Sequence, residues 1–212
     1  MNTQYTKVLL ASLLFGLSAV AQSAVVTFSD ITDGNGTSAY FDPATTTPDG
    51  GDGNVLNIGL DSFLADGSSG ATTSAVDTIS MVITAPDGYV ITSVTYSETG
   101  TVETTNGVAT ASGSIVADGI PSNFLTVIAA PGTAVGGWGI DAGPVAIANK
   151  QSIAVSITNS LFAFSFSPQE IALIEKTDAT LTVEIAEVPL PAAAWLFGSA
   201  LIALVSIQRR KA

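Results

Sequence analysis

Through most of the chain, Val, Ile, Leu, Thr and Ser fall on alternating positions, and Gly, Pro, Asn and Asp interrupt them at short intervals. A period of two between turn residues predicts half-buried strands, not helices. Within 76–85, Ile79, Met81 and Ile83 alternate; within 152–166, Ile153, Val155 and Ile157 do the same before Leu161, Phe162, Phe164 and Phe166. In 179–186, Leu181, Val183 and Ile185 point one way and Thr180, Thr182 and Glu184 the other. Further strands are expected at 25–31, 37–41, 55–64, 89–99 and 124–130. Asn106-Gly107, between 101–105 and 108–116, predicts a hairpin with a type I′ turn. Loops are expected at 43–54 and 65–74, an irregular stretch at 136–144, and a short helix or loop at 168–176. Pro86-Asp87-Gly88 reads as a turn. Roughly nine or ten strands with short links make an all-β fold, an antiparallel β-sandwich of jelly-roll-like type. A parallel β-helix is the alternative, but no fixed-period repeat supports it.

The two ends depart from this pattern. Residues 1–21 read as a signal peptide that hands the chain to the Sec export machinery: Lys7 is the positive start, Val8–Val20 the apolar stretch, and Ala19-Val20-Ala21 a small-residue cleavage site before Gln22. At the other end, Val188-Pro189-Leu190-Pro191 precedes an uncharged run from Ala192 to Ile207, and Arg209, Arg210 and Lys211 follow it. As a helix at roughly 1.5 Å per residue the run is about 24 Å long, slightly short of a ~30 Å hydrocarbon core. Trp195 suits the membrane interface, and the basic end suits the cytoplasmic side. The expected organisation is a signal helix (1–21), an exported domain (22–187) and a tail (188–212) holding a transmembrane helix.

The tail resembles the PEP-CTERM sorting signal of Gram-negative bacteria that make exopolysaccharide. The resemblance is confined to 188–212 and rests on Val188, Pro189, Leu190 and Pro191, on Trp195 and Gly198 within W-L-F-G-S, and on Arg209, Arg210 and Lys211. Leu190 stands where the name-giving motif has Glu. The resemblance implies recognition by an exosortase at the inner membrane, cleavage near the motif, and a final place at the cell surface or in the extracellular matrix. It also implies a structural or adhesive role linked to exopolysaccharide or biofilm.

Charge and composition narrow the chemistry. Between Gln22 and Glu187, Lys150 and Lys176 are the sole bases against all 18 acidic residues. Nucleic acid is excluded as a partner, because binding phosphate needs a basic face. Cysteine and histidine are absent. That removes disulfides, thiol chemistry, His-based triads and His-ligated zinc. Glu98 and Glu103 are the nominees for a carboxylate pair, for want of better ones, and no enzymatic activity is expected.

Two candidate sites remain. Trp138, among glycines, with Tyr40, Tyr89 and Tyr96, offers ring faces for a sugar; this is the carbohydrate-binding alternative, against which stands Trp138 as a core residue. Asp30, Asp33 and Asn35, with Asp49 and Asp52, supply oxygens in Gly-bearing loops suited to Ca²⁺; this is the calcium-dependent adhesin alternative, against which stands ordinary turn chemistry.

Overall fold

The computed structural model describes residues 24–34, 40–49 and 53–188. The signal peptide and the tail from Pro189 onward lie outside the described residues, as do Asn35 and Asp52.

Every described element is a strand: β1 (Thr27–Asp33), β2 (Phe41–Pro48), β3 (Val55–Leu60), β4 (Leu64–Asp66), β5 (Thr72–Thr84), β6 (Tyr89–Thr105), β7 (Gly107–Ala117), β8 (Ile120–Ala129), β9 (Thr133–Lys150), β10 (Ser152–Ser165) and β11 (Ala172–Glu187). They form two antiparallel sheets, ordered β1-β5-β10-β7-β8 and β2-β3-β11-β6-β9, with β4 added beside β11. The core is the apolar layer between them, and alternation along each strand supplies it. Ile79, Met81 and Ile83 of β5, Ile153, Val155 and Ile157 of β10, and Leu181 and Val183 of β11 are all buried. The middle strands of the two orders, β10 and β11, touch across the layer.

The expected Asn106-Gly107 hairpin does not form. β6 and β7 belong to different sheets, and Asn106, at φ 153°, is the corner where the chain crosses between them. A type I′ turn needs two consecutive residues in the left-handed region. Asp118 (φ 52°) and Gly119 (φ 78°) meet that demand, and they close the β7–β8 hairpin with Ala117 opposite Ile120. The stretch 136–144 is not irregular; it lies inside β9, paired along β6. The stretch 168–176 is not helical: β11 begins at Ala172. The loop expected at 43–54 holds most of β2.

The outer strands β8 and β9 each lay an aromatic ring over a glycine on the strand inside them. Phe124 lies opposite Gly113 and Trp138 opposite Gly100. A Cβ on Gly100 would press on the Glu175 carbonyl oxygen and approach the Trp138 ring to 2.6 Å. Rings over edge glycines pin register and fill the space a missing side chain leaves. Gly100→Ala is therefore expected to destabilise the fold by about 1–3 kcal/mol, the usual cost of overpacking. Chemical denaturation would read this as a lower midpoint; an unchanged midpoint would show that Trp138 does not rest on this glycine.

Candidate functional site

Among the described residues a cluster of charged and polar side chains breaks the apolar layer, and strand phase explains each member. On β6 the inward row runs through Val94, Tyr96, Glu98, Gly100 and Val102, so a tyrosine and a glutamate follow one another into the core. On β10 it runs through Ile157, Asn159 and Leu161. On β5 it runs through Ala75, Asp77 and Ile79, and Asp77 is the cross-strand neighbour of Asn159. On β11 the row Ala172, Ile174, Lys176 points inward, and a bulge follows at Thr177 and Asp178 before the row resumes at Ala179. An extra residue of this kind resets the phase of a strand.

Lys176 and Glu98 are an ion pair with side chains 0% exposed, Nζ to Oε2 2.7 Å. The same Oε2 accepts from the Tyr96 hydroxyl at 2.9 Å and from Asn159 Nδ2 at 2.6 Å. Lys176 Nζ also donates to the Tyr96 hydroxyl oxygen at 3.0 Å, as does Asn159 Nδ2 at 2.8 Å. Aromatic rings close the rest of the pocket. The ammonium lies 4.4 Å from the Phe63 ring centre and 5.0 Å from that of Phe41. Those two rings meet edge-on, and Tyr40 stacks on Phe63. Two buried oxygens, Glu98 Oε1 and Asn159 Oδ1, have no hydrogen-bond partner.

Burial dominates the electrostatics. It lowers Lys176 from 10.5 to about 8, while the Glu98 carboxylate and, more weakly, Asp77 pull the other way. Burial, reinforced by the Glu98 charge, pushes Tyr96 well above its ordinary range. Burial also raises Asp77, against the backbone N–H groups of Phe41, Thr78 and Tyr40 that favour its charged form.

The residues singled out from sequence are mostly placed elsewhere. Trp138 is 8% exposed and donates its indole N–H to the Thr101 carbonyl. It lines a 370 Å³ depression with Val127 and Val135, but so little exposure leaves no ring face for a sugar. Tyr96 is fully buried in the cluster, Tyr40 packs on Phe63, and Tyr89 donates to Glu187 at the surface. Trp138 thus takes the core position that stood against the sugar-binding alternative. Among the described residues no group of three or more acidic side chains is gathered for a metal. Asp30 sits at the irregular pairing of β1 with β5, Asp33 bonds to Asp77, and Asp49 donates its backbone N–H to the Val55 carbonyl. Asn54 uses its carboxamide to hold Ala24 and Val26. Glu103 lies exposed, on the opposite face of β6 from Glu98. Sequence reasoning passed over Asn159, Lys176 and Asp77 as site residues.

No protein-family model matches the chain, and comparison with curated proteins finds no match.

Lys176→Met strands a buried carboxylate and is expected to cost about 3–5 kcal/mol. Adding Glu98→Gln should recover much of that, since a neutral pair carries no desolvated charge; a double variant no better than the single would contradict it. A chain whose Lys176 amine is free also has a defined pH response. Above about 8 the folded state releases the Lys176 proton, whereas the unfolded chain holds it to near 10.5. The unfolded state then binds more protons, so stability rises with pH in that window, and the penalty is complete below it. Above pH 10.0 Tyr96 opposes this, because only the folded state keeps the phenol proton. In such a free-amine chain the denaturation midpoint should climb between pH about 8 and 10, whereas that of Lys176→Met should stay level.

Proposed function

We propose that the chain is an exported structural or adhesive protein, sorted through its tail by an exosortase and retained at the cell surface or in an exopolysaccharide matrix. The observation that carries this reading is the tail itself: a P-x-P motif, an uncharged run and the basic cluster Arg209, Arg210 and Lys211. β11 ends at Glu187 and Val188 donates its N–H to the Gly88 carbonyl, so the folded domain reaches the motif with no stalk between them. An acidic surface and a cysteine-free core suit a protein that is exported and must remain soluble outside. The crossing of consecutive strands between the sheets supports the jelly-roll-like reading of the sandwich.

Intact-mass measurement on membrane and medium fractions of the native host tests the sorting step. The expected product ends near Val188–Pro191, with or without an added group. A product that keeps Trp195–Ala212 and occurs in the inner membrane alone would contradict sorting by cleavage.

A further inference from the structure

The polar cluster has the composition of a reaction site and no opening for a substrate. Its reactants are therefore its own side chains. Lys176 carries an amine, Asn159 a carboxamide, and both nitrogens lie within hydrogen-bond distance of one oxygen, Glu98 Oε2. All three side chains are buried, and the pocket wall is aromatic. We propose that Lys176 and Asn159 join in an intramolecular amide crosslink that the protein forms by itself, with Glu98 moving the protons. This does not rest on the sorting tail and stands or falls apart from it.

The chemistry balances within the cluster. Proton transfer from the Lys176 ammonium to Glu98 turns the ion pair into a neutral amine and a carboxylic acid. Burial lowers the cost of that transfer, because it disfavours both charges, and it has brought Lys176 down to about 8. The amine lone pair attacks Asn159 Cγ while Glu98 gives its proton to Oδ1, and the Nζ–Cγ bond forms. Glu98 then takes a proton from Nζ and delivers it to Nδ2. The Cγ–Nδ2 bond breaks, ammonia leaves, and the hydroxyl proton returns to Glu98 as the carbonyl reforms. No oxidant, metal or outside reagent is needed.

Two observations independent of proximity favour reaction over a resting ion pair. Asn159 Oδ1 and Glu98 Oε1 are buried acceptors without donors, a costly arrangement that wants a reason. A protonated Glu98, the state left by the reaction, supplies a donor where none exists now. The product also replaces two desolvated charges with a neutral amide, removing the penalty that a buried ion pair carries. Asp77 is the competing acceptor, but both its oxygens are held by backbone N–H groups. The crosslink would tie β10 to β11, the middle strands of opposite sheets, in a chain that has no cysteine to do so.

The test is peptide mapping of the full chain, purified folded as judged by a cooperative thermal transition. Cleavage after glutamates separates the two residues, because Glu170 and Glu175 lie between Asn159 and Lys176. The expected product is a branched peptide joining the segment that contains Asn159 to the segment that starts at Lys176, lighter than the two by one ammonia. Intact mass alone does not decide, since cyclisation of an N-terminal Gln22 also releases ammonia. Asn159→Ala and Glu98→Ala should abolish the branch. Asn159→Asp should keep it, with loss of water in place of ammonia from the variant's own mass. The alkaline rise in stability should be absent from the wild type and return in Asn159→Ala. Recovery of the two linear peptides from folded wild-type protein would overturn the proposal, whatever the variants do. So would a branch that joins Lys176 to Asp77.

Discussion

The contact between Lys176 and Glu98 constrains the rest of this molecule. Two sheets with apolar inner faces attract each other by burial, but burial has no direction and tolerates sliding. A buried amine does not. It must meet its carboxylate, and in this fold it also meets the tyrosine hydroxyl that shares that carboxylate. Asn159 brings the facing sheet into the same geometry. One polar cluster thus fixes how β10, β11 and β6 stand relative to one another. The cost is desolvation of two charges, which only good geometry or a change of covalent structure offsets.

The surroundings serve that cluster. Phe41 and Phe63 supply low-dielectric walls whose ring faces suit a cation. Asp77, gripped by three backbone N–H groups, anchors the start of β2, and with it Phe41, to the opposite sheet. The bulge at Thr177 and Asp178 lets β11 present Lys176 inward and still bury Ala179, Leu181 and Val183. Phe124, which covers Gly113, also packs on Tyr96 at 5.8 Å between ring centres.

Much of the fold was legible from the period-two pattern, because β5 and β10 each bury an unbroken alternating row and β11 does so from Ala179 to Val183. The same rule carried to its end would have found part of the site. Asn159 falls on the row of Ile157 and Leu161, and Glu98 lies two residues past the inward Tyr96. Lys176 was hidden, because Pro168 and the polar residues after it mask the start of a strand, and a bulge breaks its phase. The Asn106-Gly107 turn failed for a different reason: local turn chemistry does not reveal which sheet the next strand joins, and Asp118-Gly119 offered the same chemistry between strands that do pair. The meeting of Asn159 with Lys176 depends on sheet-over-sheet packing, which no single strand encodes. The tail is the converse case: its reading comes from sequence alone, and from Pro189 onward it lies outside the described residues.

The most direct measurement is the ¹⁵N resonance of Lys176 Nζ in labelled, folded protein. The account predicts a secondary-amide nitrogen bearing one slowly exchanging proton, close in space to the Tyr96 ring. An amine or ammonium signal that exchanges freely with water and titrates as an ordinary lysine would contradict it.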